Sequence, residues 1–246
     1  MNRKFFALVL FMMIATISLS SCVTTSTDIA GGIQGAGPMV SRPIQTEDFA
    51  SVNVSGAYRV IYRQDRDVSV IVKMQENLFD ILDISVRNGT LYVDSARSFN
   101  TSDANRPRLY ISAPTNEGIS FDGAVDATEW DPVYAQRFFI GARGAGSLII
   151  PLEVELLDID VEGGVSLELL GNVGAANILV EGAANISAGN LQIRNTRIEL
   201  HGAGTVNIAV SGFLDVEING VGHVRYTGDP VVTQRISGLG TVQRNY

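Results

Sequence analysis

The residues best placed for chemistry are four acidic side chains near the middle of the chain, Asp158, Asp160, Glu162 and Glu181. Glycoside cleavage uses two carboxyl groups about 5–9.5 Å apart, one of them as the acid. Glu162 and Glu181 occupy equivalent positions in two similar stretches, VEGGVSL and VEGAANI, so stacked repeats would bring them together. The regular spacing of these stretches leaves no insertion to form a cleft. The pattern therefore favours a solvated acidic patch over a catalytic site.

Other residue types give weaker indications of chemistry. Gly202-Ala203-Gly204 follows an apolar strand pattern, as in a phosphate-binding loop, but Asn207 stands where a dinucleotide fingerprint needs its third glycine. His201 and His223 lie more than one repeat apart and at unlike positions of the pattern, which does not predict a zinc pair. The G-x-S-x-G elbow of serine hydrolases does not occur in the sequence. We therefore expect no catalytic residue, no metal and no cofactor.

The glycine stretch is one copy of an internal repeat. Seven copies follow residue 113 at steps of roughly 18–21 residues, and SVNVSGAYRV at 51–60 is an eighth. Apolar residues stand four and two before each leading glycine and four after it, except for Gln234 in the last repeat, and they alternate with polar residues as on a half-buried strand. Each repeat is predicted to be a strand, a glycine bend and a second strand. The predicted bend glycines are Gly56, Gly123, Gly144, Gly163, Gly182, Gly202, Gly220 and Gly238.

Strand repeats of this length predict an all-β fold, a parallel β-helix or β-solenoid with rungs of roughly 18–21 residues. The period breaks over 58–112. There the sequence predicts a hairpin turning at 64–67, a short helix or turn in QENLFDILD, and a hairpin with a type I′ turn at Asn88-Gly89. A further strand is predicted in RLYIS. We expect this irregular section to cap one end of the solenoid, with a separate domain as the alternative.

The N-terminus has the pattern of a secretion signal over residues 1–21, with a basic start and an apolar run. Leu-Ser-Ser-Cys at its end resembles the bacterial lipobox, and Cys22 is the only cysteine in the chain. The apolar run falls short of the roughly 20 residues that a spanning helix needs. We predict a lipid on Cys22 that anchors the protein to a membrane. Val23, in place of aspartate, favours the outer membrane, facing either the periplasm or the cell surface.

The segment 22–48 is rich in Thr, Ser, Gly and Pro and is predicted to be a flexible tether, leaving 49–246 as the folded domain. Removing residues 1–21 takes away two basic residues, which leaves 16 basic against 26 acidic residues, a formal charge of −10. This balance disfavours a nucleic-acid partner, because nucleic-acid binding depends on neutralising phosphates.

The entry FASVNVSGAYRVIYRQ, the NGTLYVDS hairpin, PRLYISAP and the serial GAG bends resemble the putative autotransporter-adhesin head domain family, also called the GIN or DUF2807 family. The resemblance covers residues 49–246. It implies a secreted or lipid-anchored bacterial β-solenoid protein. The function it implies is that of a non-catalytic cell-envelope lipoprotein, an adhesin-like module binding glycan or protein. The alternatives are a structural envelope-maintenance lipoprotein without an external ligand, and a carbohydrate-active β-helix enzyme.

Overall fold

The structure is a computed structural model that describes residues 32–245, which belong to one compact unit made almost entirely of β-strands. This confirms the all-β class. In this part of the chain there are also two short 3₁₀ helices, Glu76–Ile81 and Asp103–Asn105, and no helix long and apolar enough to cross a membrane. The strands are β1 (Ile33–Gln34), β2 (Met39–Ile44), β3 (Ser51–Gln64), β4 (Ser69–Gln75), β5 (Leu82–Arg87), β6 (Thr90–Ser95), β7 (Phe99–Asn100), β8 (Arg108–Ala113), β9 (Gly118–Trp130), β10 (Val133–Val180), β11 (Ala183–Leu200), β12 (Ala203–Thr227) and β13 (Val231–Arg244).

One sheet holds most of these strands, in the order β13-β12-β11-β10-β9-β3-β8-β4-β2, with β6 pairing both β3 and β5. Every ladder from β13 to β3 is parallel, and its register follows the repeat. Phe139 pairs with Gly118 and Val231 with Phe213, and the residues in each of these two pairs are one repeat apart in the sequence. The sheet is not parallel throughout, because β4 runs antiparallel to β2 and β8. The closure of the rungs into a solenoid stays a prediction.

The apolar positions of the repeat point into the core, as the alternation predicts. In one repeat Ile178, Val180 and Ile186 are buried, while Glu181 beside them is exposed. A buried aliphatic side chain of this size stabilises the fold by about 1.5–3 kcal/mol. The buried residues of the repeats therefore belong to one continuous hydrophobic core.

The bend glycines form a column across the sheet, with Gly56, Gly123 and Gly144 in register on neighbouring strands. From Gly123 to Gly238, a Cβ on any glycine of the column would collide with the backbone of the preceding one. Most of the column also has a positive φ, but the φ of Gly182 and Gly202 lies outside that region. Close backbone approach is therefore what the whole column shares, and a left-handed conformation is an added requirement at some positions.

The section 58–112 differs in part from the prediction. β5 and β6 form the expected hairpin, with φ of 52° at Asn88 and 73° at Gly89, as a type I′ turn requires. The helix in QENLFDILD is the first 3₁₀ helix. The predicted hairpin turning at 64–67 is wrong, because β8 lies between β3 and β4 and pairs with both. A strand distant in sequence replaced the local partner of β3.

The predicted tether is also corrected over its described residues. Met39–Ile44 forms β2, which pairs antiparallel with β4, and Ile33–Gln34 pairs with Phe99–Asn100. The Arg42 guanidinium lies 4.3 Å from the centre of the Phe79 ring. An exposed strand edge on β4 needs a partner, and proline is tolerated on an edge strand such as β2. The signal peptide at 1–21 and Cys22 lie outside the described residues and stay predictions.

Candidate functional site

Three columns of side chains cover one side of the parallel ladders. They stand five, three and one residues before each bend glycine, and they alternate with the buried positions, so the strands hold them outward at fixed spacing. We call this surface the outer face. Its backbone is paired on both sides from β9 to β12, which makes it a rigid support for the side chains.

The outer face brings together the acidic residues predicted from the sequence. Asp158, Asp160 and Glu162 alternate along β10, and the backbone N–H of Glu181 donates to the Val161 carbonyl at 2.8 Å, one rung away. Two of these carboxylates have basic or amide partners. Asp158 lies 3.6 Å from Arg137 Nε and accepts a 2.8 Å hydrogen bond from Asn177.

Glu162 is the second carboxylate with a basic partner, since one of its oxygens lies 3.3 Å from Arg143 Nε. An arginine close to each of two carboxylates suits a charge-balanced surface better than an acid and base pair, which needs one proton-carrying carboxyl group. The patch is therefore a part of the outer face rather than an isolated acidic site.

A groove on the outer face is centred on Phe139, whose side chain is 39% exposed. Gly141, two residues further on, has no side chain to fill its column, and a Cβ there would collide with the Phe139 ring. Two depressions, of about 240 Å³ and about 170 Å³, lie beside the ring and share Phe139 and Asp160. We call them together the Phe139 groove. The polar residues that line the larger one are Asn53, Ser120, Asp122, Arg143, Asp160 and Glu162.

Asp160, which lines both depressions, has one buried carboxylate oxygen without a hydrogen bond to residues 32–245. Its Oδ1 is inaccessible to solvent and has no hydrogen-bond partner among the described residues. A buried carboxylate oxygen without a donor costs free energy, and such atoms in native proteins call for an explanation. Nearby, Asn53 Nδ2 donates to Ser120 Oγ at 2.7 Å, which fixes both side chains on adjacent rungs. The groove thus combines an ordered polar wall, an exposed ring and the carboxylate of Asp160.

Further along the outer face, toward β13, the side chains form a charged network. Arg197 Nε lies 2.7 Å from Glu199, and Arg235 lies 3.1 Å from Glu217. The hydrogen bond from Asn219, with the charge and hydrogen bond of Arg235, lowers the pKa of Glu217. The hydrogen bond to Glu199 and its charge raise the pKa of Arg197. Exposed pairs of this kind add little stability.

The two histidines and the Gly202 motif have different surroundings in the structure. His201 lies 3.8 Å from Glu199, whereas His223 shares a 2.8 Å hydrogen bond with Thr241. In residues 32–245 no group of three or more His, Cys, Asp or Glu side chains could hold a metal ion. Gly202 is followed by β12 and not by the helix that a phosphate-binding loop requires.

Three of the four acidic residues named from the sequence, Asp158, Asp160 and Glu162, line the groove. The sequence analysis did not identify Phe139, Asn53 or Ser120. The available signal was Gly141, which interrupts a column where the neighbouring repeats carry Ser120 and Asp160. A small residue between larger ones in an outward column leaves a depression in the surface. Gly141 can be recognised as such a residue only when the repeats are aligned on their bend glycines.

Comparisons with known proteins give the same architecture. The family model described as "Putative auto-transporter adhesin, head GIN domain" matches residues 48–230. Among solved structures, a "putative adhesin" from Bacteroides fragilis is 23% identical, with a TM-score of 0.80 over 87% of this chain and 100% of the other. A "putative lipid binding protein" from Parabacteroides distasonis is 22% identical, with a TM-score of 0.65 over 87% and 99%.

A "putative adhesin" from Parabacteroides merdae is 18% identical, with a TM-score of 0.66 over the same shares of the two chains, 87% and 99%. At these identities the three structures show the fold alone. None of the curated proteins matches the chain.

Proposed function

The chain belongs to the family of the auto-transporter adhesin head GIN domain, and from this premise we propose that it is a non-catalytic, adhesin-like binding protein of the bacterial cell envelope. The observation that carries the proposal is the outer face. It is a surface of regularly spaced side chains, held by paired parallel strands, with charges that are largely balanced by neighbours. Such a surface can bind a partner without reacting with it.

We propose further that the parallel ladders wrap as a β-solenoid, one repeat to each rung, with the section 58–112 as its cap. Two features support this. The register of β12 with β13 continues the step of the repeat, and β6 and β8 both pair with β3 on the side away from β9. A solenoid needs a terminal element of this kind to cover its core.

The proposed location is the outer membrane, through a lipid on Cys22. The lipobox and the single cysteine support this. Two or three acyl chains give stable anchoring, since each buried methylene contributes about 0.8 kcal/mol. The partner proposed for the outer face is a glycan or a surface protein.

The proposal is tested in two linked measurements on the full chain. Protease added to intact bacteria should remove the protein from cells that make the wild type. Beads coated with the purified protein should be retained on cells or on immobilised cell-surface glycoprotein. The Cys22→Ser variant, which lacks the acyl acceptor, should be lost from the membrane fraction.

Two results would contradict the proposal. Protection from protease with no bead retention would favour an envelope-maintenance protein, and release of sugar from a polysaccharide panel would favour an enzyme. Palmitate labelling of Cys22→Ser would contradict the lipid site alone.

A further inference from the structure

We propose that the Phe139 groove binds a neutral sugar residue of a glycan chain, an inference that rests on the adhesin-like function above and specifies its ligand. The groove meets three requirements of such a site: an apolar ring for the face of the sugar, polar groups at its side for hydroxyls, and a charge balance that excludes acids. Each requirement follows from residues on the outer face.

The apolar requirement is met by Phe139. Large apolar side chains on a polar surface are informative when they are grouped with a cavity, and here the ring stands between two depressions. The missing side chain at Gly141 leaves room for the ring to lie against the strand. The face of an aromatic ring carries negative charge density, which attracts the C–H groups on one side of a pyranose. In the second depression, Leu179 extends this apolar floor.

The polar requirement is met by the side chains across the larger depression. A sugar hydroxyl can donate and accept at once, and the groove offers both kinds of group in the Ser120 hydroxyl and the Asn53 amide, which are already hydrogen-bonded to each other. Asp160 contributes most to the preference for a ligand with hydroxyl groups. It lines both depressions, so its carboxylate can accept a hydrogen bond from a ligand hydroxyl bound there. A hydrogen bond to a charged acceptor is stronger than one between neutral groups.

The charge balance favours a neutral ligand. Asp122, Asp160 and Glu162 line the larger depression with one arginine, Arg143, which lies 3.3 Å from Glu162. The remaining negative charge would repel uronic or sialic acids. At about 240 Å³ the depression is smaller than the roughly 300–1,000 Å³ of pockets for drug-sized ligands, so it suits a single ring. The second depression shares Phe139 and Asp160 with the first, so it can hold the next sugar of the chain. The proposed ligand is therefore at least a disaccharide.

The test is a glycan array probed with the full-length protein, with neutral, sialylated and amine-bearing glycans. Neutral oligosaccharides should bind, and Phe139→Ala and Asp160→Asn should each weaken that binding about tenfold or more. Tyr134→Ala removes an exposed ring of β10 outside the groove and should leave binding unchanged. Thermal unfolding of each variant would show that the fold is retained.

The outcomes separate the subsite from the adhesin-like function. Neutral-glycan binding that is equal in all variants overturns the groove as the subsite while leaving the adhesin-like function intact. Preferential binding of amine-bearing glycans overturns the neutral-sugar assignment, because the carboxylates would then be recognising a cation. Beads retained on cell-surface protein, with no glycan bound, also overturn it. Loss of bead retention altogether contradicts the adhesin-like function itself.

Discussion

The two ends of the parallel part of the main sheet differ in whether the outermost strand is covered by other strands. At one end, the edge of β3 is covered by β6 and β8, and the sheet continues through β4 to β2. At the other end, β13 is the final strand in the order. The residue two before the bend glycine is fully buried in β3, as Val54, but 40% exposed in β13, as Ile236. The repeat motif is the same, so burial depends on having a neighbouring rung and not on the motif itself.

The sequence of β13 is adapted to this exposed position. Gln234 replaces the isoleucine or valine found four before the glycine in the other repeats. Arg235 and Arg244 add charge to the edge strand, and charged side chains on an edge discourage pairing with other chains. Three apolar residues of β13 are nevertheless exposed, Val231 (63%), Ile236 (40%) and Leu239 (78%). The covered end gains stability from burial, whereas the open end uses polar residues to remain soluble.

The strongest test of this comparison is the same substitution at both ends. Leu91→Ala, in β6, removes a fully buried side chain from the covered end and should cost about 2–5 kcal/mol of unfolding free energy. Leu239→Ala, in β13, should change it by no more than about 0.5 kcal/mol, since that side chain lies in solvent. Urea unfolding of the two variants measures the difference. Similar losses would mean that β13 is covered and that the ends are alike.

Substitutions in the glycine column, which lies between the two ends, should have a smaller effect on the free energy of unfolding. Gly163→Ala should cost about 1–3 kcal/mol, because φ is 146° there and the new Cβ would meet the Gly144 backbone. Gly164→Ala is the matched control, since its Cβ would have open space. It should be neutral or slightly stabilising, by up to about 1 kcal/mol, through reduced entropy of the unfolded chain. Thermal melts compare the pair, and equal melting temperatures would remove the steric role of the column.

Gly202 allows the effect of a positive φ to be separated from the effect of close backbone approach. Its Cβ would also meet the preceding glycine backbone, but its φ is outside the positive region, unlike that of Gly220. Gly220→Ala should therefore be the more destabilising of these two changes, because it adds backbone strain to the steric contact. The comparison of their melting temperatures separates strain from close approach.

The stability of the protein should decrease at alkaline pH because of Tyr62, which lies at the covered end. Burial, aided by the charge of Asp131, raises the pKa of Tyr62 from 10.0 to about 12. The phenol ionises at lower pH in the unfolded chain than in the folded one, so its stabilising effect is complete below pH 10 and is lost as the pH rises to about 12. Unfolding midpoints should fall over this window.

Tyr62→Phe separates this ionisation from general alkaline unfolding. The variant should show a weaker pH dependence over the same window, and should lose about 1 kcal/mol at neutral pH with the hydrogen bond to the Ala113 carbonyl. A parent whose midpoint is constant up to about pH 12 would show that Tyr62 is not sequestered.

The smallest effect is expected in the charged network near the open end. The pKa of Glu217 is lowered by Asn219 and Arg235, so its carboxylate contributes above its ordinary pKa and loses that contribution as the pH falls through the lowered one. The network lies at the surface and is screened by salt. Glu217→Gln should leave the melting temperature nearly unchanged at physiological salt, and any difference from the parent should vanish in acid. A large loss would assign the network a structural role at this end.

The repeat could be predicted from the sequence because its information is local. The apolar alternation around each glycine fixed which side chains are buried. The match of SVNVSGAYRV to later copies identified Gly56 as a bend glycine, and the structure places it opposite Gly123, although the whole irregular section lies between them in the chain. Asn88-Gly89 identified its turn for the same reason, since two residues with positive φ are a local property.

The features that were missed depend on distant pairing. Nothing near Gln64 shows that β8 enters between β3 and β4, and the mixed composition of Met39–Ile44 conceals an edge strand that exists because β4 offers it backbone partners. In the candidate site, Asp158, Asp160 and Glu162 were placed together correctly, since they alternate on one strand. Their arginine partners and the groove beside Phe139 arise from contacts across rungs, which single repeats do not specify.

The register of β3 also affects the order in which the chain can assemble. Phe213 and Val231, which begin the last ladder, are separated by a single repeat, whereas the stretch between Ser51 and Gly118 is more than three times as long. Closing the longer loop costs about 1 kcal/mol more in chain entropy, and contacts distant in sequence form more slowly. During synthesis from the N-terminus, β3 is made well before any of its partners. It stays unpaired toward β9 until the ribosome has completed the first of the later repeats.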